Sequence, residues 1–381
     1  MTTKRLLDVC DFQGGTQPPK DEWINDPCEG YVRMLQIRDY SQGDAKFIQY
    51  VKDTKKLHKC TKDDIMLSRY GYIGQAFIGL EGAYNVALVK VIKKAEIHTP
   101  YLLCYFQSYY FQHFLLSNVG ARATIPGFNK DELENALIRI PEMCEQIEIA
   151  SKITKVDELI GFHKQQLNVL DTLIKSRFIE MFGDPKLNPR KWDMVTIGDI
   201  ATDVRYGTSR PATEGGKYPY LRMNNLTYEG HLDLTDLKHI DIPDNEIEKC
   251  VVRNGDVLFN RTNSVELVGK TCVYNLDSDM IIAGYIIRVR IDDRVLPVIL
   301  SSYLNSTVMK EQLRSMAKGA VNQANINAQE LRSISIYLPP ITLQHEFATF
   351  VEQVDKSKFE IQQSLEKLEI LKKSLMQQYF G

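Results

Sequence analysis

Five polar loops in this 381-residue chain carry side chains suited to base edges and phosphates. They are RYGYIG at 69 to 74, GARATI at 120 to 125, YGTSRP at 206 to 211, NRTNS at 260 to 264 and KGAVNQANIN at 318 to 327. Each sets Arg or Lys beside Asn, Gln, Thr or Tyr around a glycine or a turn. Arg and Lys pair with guanine edges or phosphates, Asn and Gln with adenine edges, and glycine lets backbone N–H groups approach a phosphate. Any one such loop is equally an ordinary solvated turn. Five of them at corresponding places in two similar halves favour recognition of nucleic acid.

Catalytic constellations are harder to find. The chain has no Gly-rich phosphate loop, no G-x-S-x-G and no H-E-x-x-H. The N-P-P-Y-type tetrapeptide of an amino-methyltransferase is missing, since Asn188-Pro189 is followed by Arg190. Pro243-Asp244 opens no nuclease carboxylate set, because no acidic-x-Lys triplet follows at useful spacing. The seven histidines are dispersed, and His163 reads as a core histidine. The seven cysteines form no C-x-x-C pair, which argues against a zinc site or a disulfide framework and fits a reducing cytoplasm. A non-catalytic chain is expected.

The elements that must hold these loops come in two sets. Residues 1 to 140 read as short strands near MLQIRDY, DIMLS, QAFIGL and NVALVKVI, then one helix over HTPYLLCYFQSYYFQHFLLSN with a mostly core-facing set of aromatics. Residues 194 to 338 retrace that order, with strands near VTIGDI, DVLFNR, TCVYN and MIIAGYIIRVRI and a helix near LPVILSSYLNSTVMKEQLRSM. Gly15-Thr16, Tyr31, Arg33 and Asp64 to Arg69 match Gly207-Thr208, Tyr220, Arg222 and Asp256 to Arg261, while the loops between them diverge. Loops on a rigid scaffold can vary in this way without unfolding it.

Each half is followed by a long heptad helix. Ile149, Ile153, Val156, Ile160, Leu167, Leu170 and Ile174 fall at alternating steps of four and three, a coiled-coil seam. Adding 198 to these numbers reaches a second copy, with Gln146/Gln344, Asp157/Asp355, Ser176/Ser374 and Phe182/Phe380 identical. The ordinary reading of one such seam is core or dimer packing. A repeat at this offset makes the other copy its expected partner. Lys358 and Lys372 stand where the first copy has Ile160 and Ile174, so the outer faces around these lysines are expected to meet other proteins. At roughly 1.5 Å per residue the first seam is about 50 Å long, somewhat more than the ~34 Å turn of B-DNA.

Bulk properties set the limits. The length exceeds what one core usually supports, so two domains are expected. Net charge is only −2, so attraction to phosphate must come from local patches or other subunits. No apolar run is long enough for a signal peptide or a membrane span, so a soluble, cytoplasmic protein without membrane contact is expected.

Two variable domains, each followed by a helix that ends in SRFIEMFG or SLMQQYFG and begins at IPEMCEQIEI or LPPITLQHEF, together make a specific pattern. On these motifs the full chain resembles the specificity subunit of type I restriction–modification systems. The resemblance implies an α+β fold with two similar target recognition domains, 1–140 and 194–338. Two long helices, 141–183 and 339–381, separate them as an antiparallel coiled coil with internal pseudo-twofold symmetry, and 184–193 forms the linker. It implies that the chain reads a bipartite double-stranded DNA target and docks two adenine methyltransferase subunits and motor-nuclease restriction subunits. S-adenosylmethionine, ATP and Mg would belong to those partners, with no cofactor or metal in this chain. The first domain begins almost at Met1, leaving little room for a separate segment before it.

Carried onto this sequence, the DNA-binding candidates of the first domain are Gly15, Thr16 and Gln17, then Arg33, then Arg69, Tyr70 and Tyr72, then Arg122 and Thr124. Those of the second are Thr208, Ser209 and Arg210, then Arg222 and Asn224, then Asn260, Arg261, Thr262 and Asn263, and finally Lys318, Asn322, Gln323 and Asn325. The alternative is a structural adaptor whose variable domains bind proteins, and a third reading is an unrecognised enzyme.

Overall fold

In the computed structural model the described residues are 2–41, 48–119, 127–320 and 323–381, with the backbone alone described for 318–320 and 323. The main helices are α1 (Thr99–Gln107), α2 (Tyr109–Asn118), α3 (Met143–Phe182), α4 (Pro297–Asn305), α5 (Thr307–Met316) and α6 (Ile341–Phe380). The chain divides into two compact units, residues 1–164 with 363–381 and residues 165–362, so each long helix contributes to both.

In the first unit, Thr2–Arg5 pairs antiparallel with Leu137–Ile140, so the domain opens and closes at one place and leads directly into α3. Between them lie two four-stranded sheets. One is antiparallel, in the order Cys10–Gly14, Leu88–Lys93, Met66–Ser68, Ala76–Phe77. The other runs Tyr50–Lys52, Tyr31–Leu35, Gly82–Tyr84, Lys59–Cys60 and contains one parallel pairing, Met34 with Ala83. The core gathers Phe12, Leu67, Tyr105, Phe106 and Phe111 with Ile149 and Ile153 of α3 and Met376 and Phe380 of α6.

The second unit repeats the terminal strand pair and both four-stranded sheets in the same order. Asp193–Thr196 pairs with Ser335–Leu338. An antiparallel sheet runs Ala201–Tyr206, Ile286–Ile291, Val257–Asn260, Thr271–Val273. A second sheet runs Lys238–Ile240, Tyr218–Leu221, Met280–Ile282, Val251–Val252, and the corresponding pairing, Tyr220 with Ile281, is again parallel. Its core draws Phe178 and Phe182 from α3 and Phe347 from α6, with ring centroids 5.5 Å apart for both pairs. In each unit the beginning of one long helix lies beside the end of the other, so the pair is antiparallel, as the family resemblance implies.

Identical residues in the two long helices do identical work. Gln146 donates to the Pro141 carbonyl at 2.9 Å and accepts from the His98 N–H at 3.0 Å. Gln344 donates to Pro339 at 2.8 Å and accepts from Leu296 at 2.8 Å. Both amides are buried, and each fastens the first turn of its helix to the domain before it. The seam is buried at Ile149, Ile153, Val156 and Ile160 and only half-buried at Leu167, Leu170 and Ile174.

Four local readings change. Each aromatic-rich or Leu-rich helix expected as one piece is two, broken at Ser108 and Ser306. These serines have extended ψ of 149° and accept the N–H of Phe111 at 3.2 Å and of Met309 at 3.3 Å. A serine hydroxyl competes with the helical backbone in this way, ending one helix and capping the next. MLQIRDY is strand only to Leu35, since Asp39 accepts the Gln36 N–H at 2.8 Å and starts a helical turn. VTIGDI leaves its strand at Thr196, where Thr196 and Asp199 cap each other and open a turn of helix. Tyr109 is exposed and stacks on His113 at 5.3 Å, unlike the buried Tyr105 and Phe106.

The seam lysines also differ from expectation. Lys372 pairs with Asp157 at 2.6 Å, and the 14% exposed Lys358 pairs with Asp171 at 2.5 Å. Both point into the helix pair, because a long stem can span the seam and bring its charge to a carboxylate on the facing helix. The outward faces carry exposed apolar side chains instead. These are Leu159 and Phe162 with Ile370 in the first unit and Val169, Leu173 and Phe359 in the second. His163 lies 3.2 Å from the Ser364 hydroxyl, a partnered position within the helix pair.

Candidate nucleic-acid interface

Among the described residues, the loops around Gly15 and Arg69 in the first unit, and those around Gly207 and Arg261 in the second, meet at one end of the antiparallel sheet. In the second unit Gly207 approaches so closely that an added Cβ would lie 2.1 Å from the Ile282 carbonyl oxygen, and Thr208 N–H donates to that oxygen at 2.9 Å. The Gly284 N–H then donates to Thr208 at 2.7 Å, and the Arg261 N–H donates to Tyr285 at 2.9 Å. The Arg261 guanidinium donates to the Gly284 carbonyl at 3.4 Å and lies 4.9 Å from the centre of the Tyr206 ring. Thr262–Asn263 pairs with Gln323–Asn325, which pairs with Lys318–Ala320, so two candidate loops merge into one three-stranded sheet.

The first unit has the same frame. A Cβ on Gly15 would lie 2.0 Å from the Asn85 carbonyl oxygen, and Thr16 N–H donates to Tyr84 at 3.0 Å. The Arg69 N–H donates to Ala87 at 2.8 Å, and its guanidinium donates to the Phe128 carbonyl at 3.1 Å and to Asn129. Tyr70 bridges to Gly127. Gly15 and Gly207 therefore serve close backbone packing, since no side chain fits there.

The candidates then separate by what they touch. Asn260 is fully buried and donates to the Thr262 and Tyr285 carbonyls, both at 3.1 Å, while accepting from Asn263 at 2.8 Å. Thr262 donates to Asn325 at 2.8 Å. These four shape the loops. Arg33 is paired with Asp39 at 2.8 Å, Arg222 with Asp236 at 2.7 Å and Arg210 with Glu246 at 2.7 Å. The side chains that present themselves to a ligand are Tyr72 at 82% exposure, with Gln17, Ser209 and Asn224, and the half-buried Arg69 and Arg261. A guanidinium has five N–H donors, so both arginines keep donors beyond those already used. Arg122, Thr124 and Asn322 lie outside the described residues, as do the side chains of Lys318 and Gln323.

Sequence reasoning missed the platform under Arg261. Tyr206 accepts the Ala328 N–H at 2.8 Å while its ring faces the guanidinium, and Tyr285 is exposed at the same end. Tyr206 belongs to the YGTSRP loop, yet only the sheet pairing brings it beneath a residue 55 positions away. It also missed Lys310 and Gln112, which lie in helices and look like ordinary polar surface positions.

A second charged group joins the second domain to both long helices. His231 lies 2.8 Å from Asp171 of α3 and 2.6 Å from Lys358 of α6. Burial acts to raise the Asp171 carboxyl, but hydrogen bonds from His231 and Lys358 outweigh it and hold it below the ordinary carboxylate value. Asp171 and His231 border a cleft of about 710 Å³ within this unit, walled by Ile174, Phe178, Leu232 and Val351. Among the described residues no three His, Cys, Asp or Glu side chains are placed to hold a metal, and no helix is long and apolar enough to cross a membrane.

Comparison with known proteins agrees with this architecture. The family model described as type I restriction modification DNA specificity domain matches residues 1–172 and again 189–372. The type I restriction enzyme EcoKI specificity subunit of Escherichia coli is 22% identical over 368 residues, covering 89% of this chain and 79% of that protein. The MjaVIII specificity subunit of Methanocaldococcus jannaschii is 23% identical over 393 residues, covering 98% and 90%. The crystal structure of a type I restriction–modification system S subunit from M. genitalium has a TM-score of 0.57 at 14% identity, covering 100% of this chain and 96% of that one.

Proposed function

The chain belongs to the type I restriction–modification specificity family, and from that premise we propose that each of its two units reads one part of a two-part DNA sequence through its loop cluster. The observation that carries this reading is the repetition. One backbone frame, built on Gly15-Thr16 with Arg69 and on Gly207-Thr208 with Arg261, presents different side chains in the two units. A shared frame with different reading residues supports two different half-sites.

The division of labour follows from what the side chains can do. Arg69 and Arg261 are the candidates for base edges or phosphates, since each is steered by carbonyl contacts and an adjacent ring yet retains donors. Arg33, Arg210 and Arg222 would first have to leave a carboxylate, so their contribution to binding is smaller. Gln17, Tyr72, Ser209 and Asn224 complete the exposed set.

The exposed apolar residues of the long helices, Phe162 and Ile370 in one unit and Val169 and Phe359 in the other, support docking of helical partner subunits. In this reading two adenine methyltransferase subunits bind there, motor-nuclease subunits join them, and those cytoplasmic partners hold S-adenosylmethionine, ATP and Mg. The test is binding of the chain, assembled with its methyltransferase subunits, to duplexes in which the spacer between two candidate half-sites is varied. Preference for a gapped two-part sequence supports the proposal, and equal affinity for all duplexes would refute it.

A further inference from the structure

The two reading loops are held from behind by equivalent residues of different chemistry. In the first unit the loop after Ser68 returns through Gly74, which has φ +79° and whose N–H donates to the Ser68 carbonyl at 2.7 Å. In the second the loop after Asn260 returns through Gly269, with φ +80° and an N–H donating to the Asn260 carbonyl at 2.9 Å. Both glycines sit against a leucine of the second helix of the pair. A Cβ would meet Leu115 at 2.5 Å in one and Leu313 at 2.7 Å in the other. Only glycine combines the left-handed backbone with that approach.

The outward carbonyl of each glycine is then taken by a side chain one helical turn earlier. Gln112 of α2 donates to the Gly74 carbonyl at 2.7 Å and to the Phe106 carbonyl at 2.7 Å. Lys310 of α5 donates to the Gly269 carbonyl at 2.6 Å. The offset of 198 that relates the long helices also relates Gln112 to Lys310 and Leu115 to Leu313. Lys310 is 4% exposed, an uncommon place for an ammonium group that has no carboxylate bonded to it among the described residues. Around it stand Lys270, which donates to Met223 at 2.7 Å, Arg314, which donates to the Tyr228 hydroxyl at 2.8 Å, Lys175 of α3 and Glu229, while the Tyr228 ring lies 5.5 Å away.

We propose that Gln112 and Lys310 are positioning residues for DNA reading, each fixing the glycine that closes its own loop, and that the lysine makes reading by the second unit sensitive to pH. The inference rests on the assignment of these loops to DNA recognition. Its physical basis is that the ammonium gives a stronger, charge-assisted hydrogen bond than the neutral amine, whereas the Gln112 amide does not titrate. Burial, then the charges of Lys175, Arg314 and Lys270, bring Lys310 down to about 7, inside the range where activity is ordinarily measured. As pH rises through that value the clamp on Gly269 weakens and the clamp on Gly74 does not.

The test uses the chain assembled with its methyltransferase subunits and duplexes altered in one part or the other of its mapped target. The readout is the ratio of affinities for intact and altered duplex. Lys310→Met is expected to lower discrimination at the second unit's part by about tenfold, the scale of one good base contact, and to leave the other part unchanged. Lys310→Gln is expected to restore discrimination and to abolish its decline between about pH 6 and pH 9. Gln112→Leu should mirror the methionine variant at the first part. Unchanged discrimination in Lys310→Met, equal loss at both parts, or a wild-type pH profile in Lys310→Gln would overturn the proposal. If Lys310→Met does not fold, the pH profile of Lys310→Gln decides alone. Arg261→Ala separates the two levels. If it lowers discrimination while Lys310→Met does not, only the positioning role fails, and if it too has no effect, the assignment of the loops fails with it.

Discussion

The Arg261 guanidinium stands over the Tyr206 ring at 4.9 Å, held there by the Gly284 carbonyl. Cation–π contact and a carbonyl together orient a side chain that would otherwise sample many rotamers. Arg261→Ala is therefore expected to weaken recognition of one half-site by about 1–3 kcal/mol, and Arg69→Ala that of the other. Competition binding with duplexes altered in each half separates the effects. Equal loss at both halves from either substitution would contradict the modular reading.

Gly15→Ala and Gly207→Ala should each destabilise their own unit by about 1–3 kcal/mol or more, because the added methyl overlaps backbone that cannot move aside. The contacts it would meet are 2.0 Å from the Asn85 oxygen and 2.1 Å from the Ile282 oxygen. Chemical denaturation followed by a probe in each unit checks this, and a change confined to DNA affinity would assign these glycines a direct contact instead.

Asp171→Asn should lower the stability of the second unit by about 1–3 kcal/mol at neutral pH, since Lys358 loses its carboxylate in a mostly buried place. The Asp171 carboxyl is held below its ordinary value in the folded chain. Its contribution is therefore present above the unfolded carboxylate value and is lost as pH falls through the folded one. The difference in unfolding free energy between wild type and variant should shrink in acid, and a difference independent of pH would exclude this carboxylate as its source.

Lys310 acts on stability with the same sign in a different pH range. Its folded value is about 7, against about 10.4 for an ordinary lysine, so between those values the unfolded chain binds a proton that the folded chain does not. Stability from this group therefore rises with pH across that window. The melting temperature of wild type relative to Lys310→Gln should climb between about pH 7 and pH 9. Parallel curves would show that Lys310 is not the group responsible.

Phe359→Asp and Ile370→Asp change side chains that are 63% and 70% exposed, so the fold should tolerate them. Co-purification with the methyltransferase subunits should fall for both. Undiminished association of the double variant would place the docking surface elsewhere.

Much of the architecture is legible in the sequence, for a physical reason. Two helices that must make equivalent contacts keep equivalent residues, and Gln146 and Gln344 are identical because each satisfies a helix start and a domain N–H at once. The places of the candidate loops are legible for the same cause, through Gly15 and Gly207. What each side chain does in those loops is not. Asn260 and Arg261 are neighbours in one polar run, yet one is buried as scaffold and the other keeps free donors, a difference set by strand alternation and by carbonyls distant in sequence. Lys310 has a loop-holding role only because the chain brings Gly269 to it. The break at Ser108 is not legible in the sequence, because aromatic periodicity runs on through a residue whose hydroxyl ends one helix and caps the next.

The most direct measurement is sequencing of methylated adenines in DNA from cells that express this chain with its methyltransferase subunits, in wild-type form and as Arg261→Ala. The account predicts a motif of two short parts separated by a gap of fixed length, with the substitution relaxing one part and sparing the other. A continuous motif, or a substitution that erodes both parts equally, would contradict it.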